Sequence, residues 1–72
     1  MQSLSYNIGG WTALAELQQL DPGKLLAVIS LSNGRAAAGS RHTVVFDHAE
    51  GQDVGEETEA LVRRLLRERY GV

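Results

Sequence analysis

Two glycines, two arginines and a histidine stand close together in the segment SNGRAAAGSRH, residues 32–42. Gly34 and Gly39 have the spacing of the glycines in the phosphate-binding loop G-x-x-x-x-G-K-[ST], whose lysine reaches the phosphates and whose hydroxyl binds magnesium. Here Ser40 and Arg41 replace that pair, in inverted order. A phosphate loop also opens a helix, whereas residues 42–47 have the pattern of a strand. The segment therefore does not predict a nucleotide site.

A simpler anion site remains as a prediction for the same segment. Arg35, Arg41 and His42 carry cationic or hydrogen-bonding groups beside glycine-rich backbone. Side chains of this kind next to backbone amides can hold a small anion. These three residues are the only binding site that the sequence suggests.

The glycines of this segment also have a purely structural interpretation. Asn33-Gly34 is a strong signal for a tight type I′ hairpin turn, because both residues tolerate positive φ. In that case residues 36–38 begin the return strand. Alternatively, residues 34–40 form a longer loop.

The other chemistry-bearing residues point away from catalysis and metal binding. His42 and His48 lie six residues apart in one predicted strand, roughly 20 Å at the usual rise per residue, so one metal ion cannot reach both. Asp47, Glu50 and Asp53 lack the spacing of a calcium loop. No serine stands in a G-x-S-x-G elbow. We therefore expect no catalytic residue, no metal ligand and no cofactor.

Length and composition indicate one globular domain covering residues 1–72. The chain is 43% hydrophobic and 22% charged, with a formal net charge of −2. A net negative charge argues against nucleic-acid binding, which needs a cationic face. The longest apolar stretch, residues 25–29, is far too short to span a membrane. The absence of cysteine suits a reducing compartment, and we expect a cytoplasmic protein.

Hydrophobic periodicity places the elements along the chain. Leu4, Tyr6 and Ile8 alternate with polar residues, which predicts a short strand. Leu14, Leu17 and Leu20 predict a helix over residues 12–20, with Thr12 as N-cap and Asp21-Pro22-Gly23 as its end.

Two further strands and a second helix complete the predicted order. Residues 24–31 and 42–47 are apolar on both faces, a pattern typical of strands covered on both sides. From Val54 onward one apolar helical face runs to Tyr70. Asp53 is the expected N-cap and Gly71 the expected left-handed C-cap.

These elements predict a β-α-β-β-α fold of the α+β class: a two-layer sandwich in which a small three-stranded sheet carries both helices on one face. The two-sided strands then present more apolar surface than the helices cover. A 72-residue chain without disulfides also gains from a partner subunit. We therefore expect a homodimer that associates through its sheet surface or a sheet edge, acting as a non-enzymatic interaction or regulatory module for a protein partner. The alternatives are an anion or small-ligand binder that uses Arg35, Arg41 and His42, and an enzyme whose site spans a dimer interface.

Overall fold

The chain forms four antiparallel strands followed by one helix in a computed structural model that describes residues 2–34 and 40–71. The elements are β1 (Gln2–Ile8), β2 (Trp11–Asp21), β3 (Lys24–Asn33), β4 (Ser40–Asp47) and α1 (Val54–Tyr70). The strands form one sheet in the order β1-β2-β3-β4, so each strand pairs with its neighbour in sequence. The expected β-α-β-β-α fold with a three-stranded sheet is therefore wrong.

The error lies in the helix predicted over residues 12–20, which is the 11-residue strand β2. Ala13, Ala15 and Leu17 are buried, whereas Thr12, Leu14, Glu16 and Gln18, which alternate with them, are exposed. Because Leu17 belongs to both patterns, the leucines three residues apart suggested a helical stripe. The two alanines that carry the strand period added little hydrophobic signal of their own.

Turn chemistry at both ends of β2 explains why this segment is extended. Gly9 and Gly10 have φ of 56° and 84°, and Ile8 pairs with Trp11 across them. A two-residue loop with both φ positive is the type I′ hairpin turn. At the other end Asp21 pairs with Lys24 across Pro22 and Gly23. Gly23 has φ of 89°, as in a type II turn with proline before glycine.

The turn predicted at Asn33-Gly34 is not formed. Neither residue has positive φ, and Leu31 pairs with Ser40, which places the return strand too far along the chain for a two-residue turn. The alternative, a longer loop over residues 34–40, falls mainly on residues 35–39, which lie outside the described residues, and Ser40 belongs to β4. Residues 36–38, the expected start of the return strand, lie outside the described residues.

The remaining elements are confirmed. Strands β1, β3 and β4 occur where alternation predicted them, and α1 begins and ends at the predicted caps. The Asp53 carboxylate accepts from the amides of Gly55 at 2.8 Å and Glu56 at 3.3 Å. Gly71 has φ of 70°, and its amide donates to the Arg67 carbonyl.

Helix α1 packs on one face of the sheet and creates the core there. The buried apolar side chains of this layer are three alanines on β2 and β3 and larger aliphatic residues beside them: Ala13, Ala15, Leu17, Ala27, Ile29, Leu31, Val62 and Leu66. Thr58 is also buried, and its hydroxyl donates to the Val54 carbonyl at 2.7 Å. Ile29, Leu31 and Leu66 are the largest side chains that are fully buried in this layer.

The opposite face of the sheet has no element of the described chain packed over it. We name this surface the open face; four apolar side chains stand on it among polar ones, namely Leu14, Leu26, Val28 and Val45. Leu14 is 42% exposed and Val45 is 51% exposed. The predicted division of β3 and β4 into two apolar faces is confirmed, but one helix covers only one of them.

Truncation of a leucine in the core should lower the free energy of unfolding far more than truncation of a leucine at the surface. We expect Leu66→Ala to lower the free energy of unfolding by about 2–5 kcal/mol, because Leu66 is 1% exposed and its removal leaves a cavity. Leu20→Ala, at a leucine that is 46% exposed, should cost well under half as much. Urea unfolding of the two variants measures the difference, and equal losses would contradict the core assigned here.

Candidate functional site

Arg41 and His42, two of the three residues of the predicted anion site, do not lie on one face of the sheet. Arg35 lies outside the described residues. Arg41 and His42 are consecutive in β4, so their side chains project from opposite faces of the sheet. Arg41 is exposed on the open face, whereas His42 is half-buried on the helix side.

His42 instead belongs to a cluster at the end of α1. Its Nε2 lies 3.2 Å from the Tyr70 hydroxyl, which is also hydrogen-bonded to the Ser40 hydroxyl. The Tyr70 ring contacts Trp11, with 4.7 Å between ring centroids. We call Trp11, Ser40, His42 and Tyr70 the Tyr70 cluster. It joins the last turn of the helix to the start of β2 and β4.

The chemistry of the Tyr70 cluster favours structural support. A serine nucleophile needs its base within direct hydrogen-bond reach, but here the phenol oxygen stands between Ser40 and His42. Tyr70 is also 37% exposed, so water reaches the chain of hydroxyls. These bonds hold the helix end against the sheet.

A second histidine fixes the other end of α1. Nδ1 of His48 is hydrogen-bonded to the Glu57 carboxylate, and both side chains are largely covered. The His48 amide donates to the Gly23 carbonyl at 2.8 Å, so the same residue also ties the β2–β3 turn. His48 and Lys24 line an open hollow of about 640 Å³ at this end of the sheet. Among the described residues, no three His, Cys, Asp or Glu side chains are arranged to hold a metal ion.

An exposed ion pair closes the same end of the sheet. Lys24 Nζ lies 2.8 Å from Asp47 Oδ1, and the two residues are partners in the β3–β4 register. The hydrogen bond from Lys24 and then its positive charge lower the pKa of Asp47 below its ordinary value. This pair is too exposed to contribute much to stability.

The open face carries exposed apolar residues that no element of the described chain covers. These residues run diagonally from Leu14 on β2 across Leu26 and Val28 to Val45 on β4. Leu14 is not predicted on this face, because the period of three leucines places it inside a helix. The signal that identifies Leu14 is the alternation of Ala13, Ala15 and Leu17 around it.

Tyr6 links the helix start to the edge strand β1. Its hydroxyl donates to the Gly55 carbonyl at 2.8 Å. Burial raises the pKa of Tyr6 above 10.0, with the negative charges of Glu59 and Asp53 acting in the same direction and a hydrogen bond with Thr58 opposing them. The phenol therefore keeps its proton more firmly in the folded chain than in the unfolded one.

Stability should consequently fall as pH rises above about 10, because the folded state then binds more protons than the unfolded state. Tyr6→Phe removes the hydrogen bond to Gly55, so its free energy of unfolding at neutral pH should be lower by about 1 kcal/mol. Between neutral and alkaline pH, the free energy of unfolding of this variant should fall by less than that of the wild type. Urea unfolding at both pH values tests this. Tyr70→Phe leaves Tyr6 as the only tyrosine in the sequence, so tyrosinate absorbance then reports Tyr6 alone. A pKa of Tyr6 at or below 10.0 in the folded state would contradict the upward shift.

Comparisons give no further guide to the site. In the part of the chain that the structure describes, no helix is long and apolar enough to cross a membrane. The chain matches no protein-family profile, no curated protein and no solved structure.

Proposed function

We propose that this protein is a small non-enzymatic interaction module that forms a homodimer by packing the open faces of two copies together. The observation that carries the proposal is the open face itself, where Leu14 and Val45 are 42% and 51% exposed beside Leu26 and Val28. Exposed apolar residues that cluster on one surface, rimmed by polar groups, are typical of protein interaction sites. Burial of this patch between two copies supplies a second apolar layer that a chain of this size otherwise lacks.

The charges on the open face support a second copy as the occupant. Glu16 on β2 pairs with Val28, and Arg41 on β4 pairs with Ser30 two residues further along β3. The two charges therefore lie on opposite sides of β3, displaced diagonally. Neither makes an ion pair within residues 2–34 and 40–71.

A two-fold axis can satisfy both charges at once. The axis lies in the plane of the face and crosses β3 between Val28 and Ser30. It runs perpendicular to the line from Glu16 to Arg41, and it therefore exchanges these two positions. Each Glu16 then faces the partner's Arg41, which is the self-complementary arrangement of a two-fold interface.

The apolar residues fit the same axis. With strands about 4.8 Å apart and residues about 3.3 Å apart along a strand, Leu14 and Val45 both fall near the axis. They lie on opposite sides of the point where the axis crosses β3. Each then packs against its own counterpart. The strands of the two copies cross at about 70°, closer to orthogonal than to aligned sheet packing.

The dimensions of the molecule set the size of such a contact. The Cα atoms extend 38 × 18 × 17 Å, so two long faces that cross at about 70° overlap over only about their 18 Å width, a few hundred Å² on each copy. A standard interface buries roughly 800 Å² on each partner. We expect a reversible dimer, which acts in the cytoplasm and presents its remaining surfaces to a protein partner.

The alternative function, an anion or small-ligand binder, has less support from the geometry. It needs Arg41 and His42 on one side of the chain, and these residues project from opposite faces of β4. Arg41 is used by the dimer arrangement instead.

A lysine at the β4 end of the patch, close to the two-fold axis, tests the homodimer. We expect the wild type to sediment above its 7.8 kDa monomer mass as concentration rises. Val45→Lys should weaken association by about tenfold or more, because each of two lysines loses water in the contact. Ala49→Lys, in the exposed β4–α1 loop, adds the same charge away from the face and should associate as the wild type does. A wild type that stays monomeric at every concentration would exclude the proposal.

A charge exchange tests the two-fold arrangement itself. Glu16→Arg and Arg41→Glu should each weaken the dimer, since each places like charges together twice in the symmetric contact. The double variant restores opposite charges and should recover most of the affinity. Sedimentation equilibrium measures all three. Losses that simply add in the double variant would mean that Glu16 and Arg41 do not face each other across the interface.

A further inference from the structure

A shallow groove of about 490 Å³ runs between α1 and the outer edge of β4, on the side of the sheet away from the open face. Phe46, Ala60 and Leu61 form its apolar floor, and Glu57, Arg64 and Arg67 complete its lining. None of these residues takes part in the proposed dimer contact. The groove is therefore a separate surface.

The strand beside the groove has an unused edge. β4 is the last strand of the sheet, and within the described residues it pairs only with β3. On an edge strand, alternate residues direct their amide and carbonyl groups away from the sheet, where another strand can pair with them. The 8 residues of β4 contain no proline or lysine to oppose such pairing.

The charges along the groove are unevenly distributed. Arg64 and Arg67 make no ion pair within residues 2–34 and 40–71, whereas their neighbour Arg63 is bound to Glu59 at 3.0 Å. Glu57, the acid in the groove, is already hydrogen-bonded to His48. The groove therefore presents two uncompensated positive charges beside an apolar floor.

The direction of α1 orders these features along β4. Glu57 contacts His48 just after β4 ends, and Tyr70 contacts Ser40 where β4 begins. The helix thus runs antiparallel to the strand. Phe46 lies near the helix start, and the two arginines lie further toward the start of β4.

We propose that this groove binds an extended acidic segment of another protein, which pairs with β4 as a fifth strand. In an added strand, alternate side chains face the helix. Running antiparallel to β4, such a segment places one apolar side chain on Phe46 and Leu61. Acidic side chains two and four residues later then meet Arg64 and Arg67.

A second copy of this chain is a poorer occupant of the groove. Pairing of β4 with β4 about a two-fold axis sets the two helices side by side and brings four uncompensated arginines to one interface. Glu57, the acid that could face them, is held by His48. The charges therefore favour a partner that supplies carboxylates.

The test uses a fluorescein-labelled peptide, Thr-Leu-Thr-Glu-Thr-Glu-Thr-Thr, which has the same length as the 8-residue strand β4. We expect saturable binding by fluorescence anisotropy, and shifts of the amide resonances of β4 and of the groove-facing residues of α1. The same peptide with lysine in place of glutamate should bind at least about tenfold more weakly, and so should a peptide methylated on alternate backbone amides. These controls separate the contribution of charge from that of strand pairing.

Variants of the protein complete the test. Arg64→Glu/Arg67→Glu should weaken peptide binding by about tenfold, and Arg64→Gln/Arg67→Gln by less. Arg69→Glu, outside the groove lining, is the matched control and should bind as the wild type does. Circular dichroism verifies that each variant is folded. Glu16→Arg, which weakens the dimer from β2 and leaves β4 unchanged, should bind the peptide as the wild type does, so failure of the dimer and failure of the groove remain distinguishable.

Three outcomes would overturn the proposal. Equal binding of the glutamate and lysine peptides would show that the arginines do not select the ligand. In Glu16→Arg, whose open-face dimer is weakened, concentration-dependent amide shifts in β4 without peptide would show that a second copy occupies the edge. Tighter binding of a labelled single-stranded oligonucleotide than of the acidic peptide would assign the arginines to a phosphate backbone.

Discussion

The sheet of this protein has two faces, and a single helix can cover only one. All of the fully buried residues lie between α1 and that face, from Ala13 and Ala15 on β2 to Val62 and Leu66 on the helix. The stability of a small chain without disulfides depends on this layer. On the other face Leu14 and Val45 are exposed and Leu26 and Val28 are half-buried, so the apolar surface that remains there leaves water only when another molecule packs against it.

The contact between helix and sheet is fixed by polar bonds at its ends as well as by apolar packing. His48 joins Glu57 near the first turns of the helix, and Tyr70 joins Ser40 and His42 at the last turn. Tyr6 adds a bond from β1 to Gly55. These bonds are directional, so together with the packed apolar layer they fix the position of the helix along the strands. That position is what aligns Arg64 and Arg67 with the edge of β4.

Much of this fold can be predicted from local sequence signals, and the failure at β2 has a specific cause. Alternation identified β1, β3 and β4, and capping residues identified α1, because these signals depend on near neighbours alone. In β2 the period of three through Leu14, Leu17 and Leu20 competed with the period of two through Ala13, Ala15 and Leu17. Gly9-Gly10 and Pro22-Gly23 decide between them, since both are hairpin turns rather than helix boundaries.

The candidate surfaces were less predictable, because they depend on which distant residues meet. That β3 and β4 have two apolar faces is visible in the sequence and implies an uncovered surface. The diagonal placement of Glu16 and Arg41 needs the strand register, and the groove beside β4 needs the docked position of α1. The predicted anion site grouped Arg41 with His42 by sequence proximity, although adjacent strand residues point in opposite directions.

The connection of each strand to its sequence neighbour has a consequence for how the molecule assembles. Three hairpins can close one after another without waiting for remote segments, which is the arrangement that permits rapid folding. The helix follows all four strands in the sequence, so the sheet can form before the helix that covers it. During that interval both faces of the sheet are exposed to solvent, and the nascent protein is most prone to aggregation. Placing the covering helix immediately after the fourth strand keeps that interval short.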